Sequence, residues 1–140
     1  MWLVFSLLSA VTAAAVAIFA KLGLKNIDTT LATTIRSIIM ALFLVITSLS
    51  LSKFKGFNFH SLNGREWTLI ILAGVSGALS WLFYFVALKL GVASRVASID
   101  RLSLIFVIIL ASIFLGEALT WRTAIGALIM VSGAIIINLK

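Results

Sequence analysis

The sequence predicts an all-α fold, a polytopic membrane helix bundle with five transmembrane helices. Three observations predict it. Of 140 residues, 63% are hydrophobic and 11% are charged, whereas a soluble domain carries about 25% charged residues. The apolar residues are gathered into runs near the length of about 20 helical residues that a bilayer core requires. Those runs account for most of the chain, so residues 1–140 form a single transmembrane domain with no room for a soluble one.

The five runs are Trp2–Ala20, Thr29–Leu51, Trp67–Leu88, Ser94–Leu115 and Thr123–Leu139. No Lys or Arg precedes the first, so the basic n-region of a signal peptide is missing and the run is read as a span. Asp28 stands where its side chain can cap the free backbone N–H groups of span 2. Asn63 and Glu66 have the spacing of a capping box before Trp67. Gly91 and Gly116 follow spans 3 and 4 and suit helix C-termini. Thr120 can cap span 5. The one sizeable loop, Ser52–Glu66, interleaves Phe54, Phe57 and Phe59 with Lys53, Lys55 and His60. Apolar rings beside cations suit the headgroup layer.

Composition excludes several classes. With no Cys and one His, thiolate metal sites and His clusters are ruled out, and no metal or cofactor is expected. No Ser/His/acid set or acid pair is present, so no enzyme chemistry is expected. The net charge of +7 is spread thinly between apolar runs. That spread does not make a nucleic-acid patch; it fits cations resting against anionic headgroups of the lipid bilayer.

Five spans put the termini on opposite sides. Lys53, Lys55, Arg65 and Arg122 fall on one side; Lys21, Lys25, Lys89, Arg95 and Lys140 fall on the other. That near-even split gives the positive-inside rule almost nothing to act on. Two readings are open. One dominant feature, such as span 1 with Lys21 and Lys25, sets the orientation. Alternatively, copies insert both ways and pair antiparallel, building an inverted repeat from two identical chains.

Three charges lie inside spans, where each costs about 2.5–3.5 kcal/mol on insertion scales. Arg36 lies about 10 Å into span 2, and Asp100 and Arg101 lie about 9–10 Å into span 4, at 1.5 Å per residue. Both spans start from the same side, so the three share a depth and Asp100 can pair with Arg36. One positive charge is left over, which favours an anionic or zwitterionic solute. Against this, Arg36 and Arg101 can snorkel to the interface; the short stem of Asp100 cannot. On span 3, Gly74, Gly77, Trp81, Tyr84 and Leu88 share a face. Trp81 and Tyr84 either line a solute path or pack against a neighbouring helix. The candidate binding set is therefore Arg36, Trp81, Tyr84, Asp100 and Arg101. Small residues Ser9, Ala13 and Ala17, and Gly126 and Gly133, read as packing or dimer seams.

The runs ALKLGVAS at Ala87–Ser94 and LGEALTWRTAIGALIMVSGAIIIN at Leu115–Asn138, with FAKLGL at Phe19–Leu24 and IR at Ile35–Arg36, resemble the EamA repeat of the drug/metabolite transporter superfamily. The resemblance covers essentially the whole chain. Most members carry two repeats; this chain carries one and is similar to the small five-span bacterial and archaeal subgroup. The resemblance implies a carrier of the cytoplasmic (inner) membrane, a secondary transporter of a small metabolite acting as a pair of repeats, through a homodimer or a paralogous partner. The alternative is a non-transporting accessory subunit that docks another membrane protein. Many members have a proline in span 4 about where Leu104 stands, and this chain has none; its SIDRLS stretch, Ser98–Ser103, is also more charged than usual. One internal echo is visible, AKLGL at Ala20–Leu24 and KLGV at Lys89–Val92.

Overall fold

The computed structural model describes residues 1–58 and 62–139. Phe59, His60 and Lys140, which entered the loop and charge readings above, lie outside them. The described residues form six α-helices: α1 (Trp2–Gly23), α2 (Thr29–Ser50), α3 (Gly64–Leu90), α4 (Ala93–Asp100), α5 (Ser103–Leu110) and α6 (Trp121–Asn138); a π-helical turn, Ala111–Leu115, closes α5. Taken with its break, Ala93–Leu115 acts as one span, and five segments are long and apolar enough to cross a membrane. All the regular structure among the described residues is helical.

The helix starts follow local chemistry. Asp28 Oδ1 accepts from the backbone N–H groups of Thr30 at 2.9 Å and Leu31 at 3.0 Å. Asn63 Oδ1 accepts from Glu66 N, and Glu66 Oε2 accepts from Asn63 N, both at 2.9 Å. This reciprocal box starts α3 at Gly64, three residues before the expected Trp67, because a capping box includes the first turn of its helix. Thr120 Oγ1 accepts from Thr123 N at 3.2 Å and starts α6 at Trp121.

The bond from Leu31 is the main cause that holds the Asp28 carboxyl below its ordinary value of 3.8, helped by the bond from Thr30 and the charge of Lys89. A carboxyl with a lowered folded value stabilises fully above its unfolded value and loses that contribution as pH falls through the folded one. The thermal midpoint is therefore expected to drop below pH 3.8. Asp28→Asn keeps a capping oxygen without a titrating group. It should flatten that part of the acid limb in unfolding scans at pH 6 and pH 2 (about two pH units either side of the ordinary Asp value).

Span 4 differs from expectation. The sequence suggested one continuous helix over Ser94–Leu115; the structure breaks it at Arg101 and Leu102. Leu102 N, Leu104 N and Ile105 N donate to the carbonyls three residues back, of Ile99, Arg101 and Leu102, at 2.9–3.1 Å. Both break residues stay in right-handed geometry, with φ −65° and ψ −14° at Arg101 and φ −63° and ψ −15° at Leu102. The span is thus tightened for one turn and then widened in the π turn. Gly116 ends it in the left-handed region, at φ 68° and ψ 20°. An added Cβ there would meet nothing within 4 Å, so a substitution acts on the backbone alone. Gly116→Val is expected to cost about 1–2 kcal/mol, read as a lower midpoint in denaturing-detergent titration.

The chain divides into two compact units. Met1–Lys21 with Leu90–Lys140 form unit 1, and Leu22–Lys89 form unit 2. In unit 1 the buried residues are Ala17, Ala111 and Ala134, small side chains that let helix backbones approach. Asn138 Nδ2 donates to Ser98 Oγ and to Ala134 O, both at 2.8 Å, tying α6 to α4. Lys21 Nζ donates to Gly91 O at 2.7 Å. In unit 2 the buried residues are Leu24, Thr33, Phe85 and Leu88, and Lys89 Nζ donates to Ile27 O at 2.9 Å. The two lysines of the KLG echo thus do the same work: each satisfies a carbonyl at a helix junction that the backbone cannot satisfy itself. Lys89 is thus a cap partner for the carbonyl of Ile27.

Polar side chains within the spans are met by their own helices. Ser6, Thr12, Thr34, Thr47 and Ser132 hydroxyls donate to carbonyls four residues back, at 2.8–3.0 Å. In lipid this is how a hydroxyl escapes the cost of a free donor. Added Cβ atoms at Gly74, Gly77, Gly126 and Gly133 meet nothing within 4 Å. Within its own unit each glycine stripe is therefore an open face.

Candidate functional site

Unit 2 brings three of the five expected site residues together. Lys89 of α3 reaches Ile27, just before α2, so the C-terminal end of α3 lies beside the N-terminal end of α2. Arg36 is seven residues beyond Thr29 and Trp81 is nine residues before Leu90. At 1.5 Å per residue they sit about 10 Å and 13 Å from that shared end. The guanidinium carbon of Arg36 lies 3.7 Å from the centroid of the Trp81 ring. It is 5.7 Å from the Phe85 centroid. Trp81 in turn meets Tyr84 edge-on, at 5.6 Å and 89°, and Phe85 edge-on, at 5.8 Å and 84°.

The spacing explains the cluster. Tyr84 and Phe85 stand three and four residues after Trp81, so all three rings project from one side of α3. On α2, Thr29, Thr33, Arg36 and Ser37 share a side in the same way. Thr33 Oγ1 donates to Thr29 O at 2.7 Å, and Ser37 Oγ donates to Thr33 O at 2.8 Å. A polar face of α2 therefore meets an aromatic face of α3.

The Arg36 head group is folded over the Trp81 indole. Such a stack is worth about 2 kcal/mol when desolvated. It satisfies the face of the guanidinium but not its edge, where the five N–H donors lie. Nη1 is buried and has no hydrogen-bond partner. Elsewhere in unit 2 the carboxylates of Asp28 and Glu66 are committed to helix caps. Between Thr29 and Ser50, and between Thr68 and Leu88, Arg36 is the only charged side chain.

Asp100 and Arg101 belong to unit 1. Asp100 is the last residue of α4 and Arg101 caps it, so both stand at the break in span 4. Both side chains are exposed, and among the described residues of unit 1 none donates a hydrogen bond to the Asp100 carboxylate. An exposed carboxylate in the middle of an apolar span is costly unless something covers it. Arg36 and Asp100 fall in different units. Three members of the unit 2 cluster escaped the sequence reading. Phe85 was passed over because the glycine-led stripe selected Gly74, Gly77, Trp81, Tyr84 and Leu88. Thr33 and Ser37 were passed over as ordinary span hydroxyls; their i−3 and i+1 places beside Arg36 were the available signal.

Groups of three or more His, Cys, Asp or Glu with metal-holding geometry are absent among the described residues. Five apolar spans with an Arg-centred aromatic cluster inside one unit define a multi-pass α-helical membrane protein. The model of the EamA-like transporter family matches residues 1–139, and the chain belongs to that family. A protein of Sinorhizobium sp named "Uncharacterized transporter in cobO 3'region" is 38% identical over 136 residues, covering 97% of this chain and 95% of that one. A Bacillus subtilis (strain 168) protein, "Uncharacterized transporter YvbV", is 34% identical over 92 residues, covering 61% of this chain and 30% of that one. No solved structure matches the chain. Family and relatives agree on membrane transport and point away from enzyme chemistry.

Proposed function

We propose that the chain is a secondary transporter of a small anionic or zwitterionic metabolite in the cytoplasmic membrane, working by alternating access as a pair of five-helix repeats. The observation that carries this reading is the Arg36 guanidinium, held flat on Trp81 inside a membrane span with a buried N–H edge unmet. A charge so placed is expensive, and its retention needs a ligand or a counter-ion. Trp81 and Tyr84 complete the solute site from α3. Asp100 and Arg101 stand seven and eight residues beyond Ala93, as Arg36 stands seven beyond Thr29, and they contribute the opposite charge and a second cation at about that depth. Both units together make one repeat. A second copy, antiparallel or parallel, or a paralogous partner, covers the exposed Asp100 and the open glycine faces.

The test is a thermal-shift screen of the purified chain against a panel of small metabolites, followed by counterflow in proteoliposomes with the stabilising compound. A ligand at 100 times its Kd should stabilise the folded state by about 2.7 kcal/mol. A compound that stabilises and exchanges saturably supports the reading. A compound that binds tightly yet never crosses, in vesicles shown to hold folded protein, overturns it in favour of an accessory subunit.

A further inference from the structure

We infer that the Arg36–Trp81 stack is a receptor for the carboxylate of an organic monoanion, taken edge-on by the guanidinium while the solute's apolar part lies along the Trp81–Tyr84 rings. This rests on the transporter reading and narrows its solute class. The stack fixes the plane of the guanidinium, because the ring occupies one face at 3.7 Å. A guanidinium held in plane presents paired N–H donors in the fork that matches a carboxylate. Nη1, buried without a partner, is one of those donors.

Charge balance selects a monoanion. Within the membrane-spanning parts of unit 2, Arg36 is the only charged group. One carboxylate makes that region neutral. A phosphate dianion would leave a net negative charge in low dielectric, and a cation would meet like charge. The hydroxyls nearest Arg36 on α2 do not meet it: Thr33 and Ser37 donate to backbone carbonyls of their own helix, and neither oxygen accepts from Nη1. The rings select an apolar body: Trp81 and Tyr84 are half-buried, so part of each remains open, and Phe85, 3% exposed, backs the indole from its edge.

The same oxygen-anion chemistry has two sources, a free carboxylate and a lipid headgroup, and the experiment separates them. The probe is sodium benzoate, titrated into the full chain in nanodiscs, with Trp2, Trp67 and Trp121 replaced by Phe so that Trp81 alone emits. A saturable change in Trp81 emission is expected. Arg36→Gln should abolish it. Arg36→Lys should weaken it at least tenfold, because an ammonium offers neither a flat stacking face nor an in-plane pair of donors. Benzyl alcohol and benzylammonium should give no saturable change, and inorganic phosphate should bind at least tenfold more weakly than benzoate.

Equal benzoate binding by wild type and Arg36→Gln would overturn the receptor. So would the absence of any benzoate response. A signal already saturated in discs of anionic phosphatidylglycerol, but not in discs of phosphatidylcholine, would assign the site to a lipid headgroup instead. Saturable binding of benzylammonium in place of benzoate would sink the anion class while leaving a solute site standing. Counterflow with the compound from the thermal screen tests the transporter reading separately, so the two can fail independently.

Discussion

Arg36→Gln is expected to reduce transport at least 30-fold while leaving the folded chain as stable as before, or more stable. The two halves of that expectation have different causes. Loss of one partner from a buried, hydrogen-bonded charge pair costs about 2–5 kcal/mol, and about 2 kcal/mol is roughly a 30-fold loss. In the solute-free chain, though, the guanidinium has only its stack on Trp81, and its buried Nη1 has no partner. Removing a charge that is already unmet removes a penalty. Counterflow reads the first half and the thermal midpoint of the solute-free protein reads the second. A residue kept for packing would behave in the opposite way, with stability falling and transport following it.

Asp100→Asn is the second large effect: transport is abolished, and folded protein remains in the membrane. The side chains are nearly the same size, so the break at Arg101 and Leu102, which is built from backbone bonds, is preserved. What disappears is a negative charge that the proposed transport reading places in the solute site, and an asparagine cannot supply it. Counterflow paired with a size-exclusion profile measures the result, and full transport by Asp100→Asn removes Asp100 from the site.

The spans were legible because bilayer thickness imposes a length and lipid imposes composition; neither depends on tertiary detail. Caps were legible for a similar reason. Asp28, Asn63 with Glu66, and Thr120 each act within three residues of themselves. The break in span 4 was not legible. Its residues keep right-handed dihedrals, and only the bonding partner changes, from four residues back to three. No composition rule marks that shift, and the absence of proline argued against any break. The site was half legible. Cost of charge in lipid singled out Arg36, and helical spacing put Trp81 with Tyr84. That the guanidinium would lie on the indole, with Phe85 behind, needed the register between α2 and α3. That register depends on where Lys89 meets Ile27, a contact between residues 62 positions apart.

The missing proline near Leu104 has a mechanical meaning. A proline ring makes a break permanent, since the amide hydrogen it lacks can never return to the helix. Here every amide at the break is intact. Leu102, Leu104 and Ile105 have only to exchange one carbonyl for the next along the chain, with φ and ψ already in the right-handed basin. The break in span 4 is therefore one that backbone bonds alone could close, since Leu102, Leu104 and Ile105 keep the donors that a continuous helix needs. Asp100 and Arg101 stand at that break, so closing it would turn the two charges together.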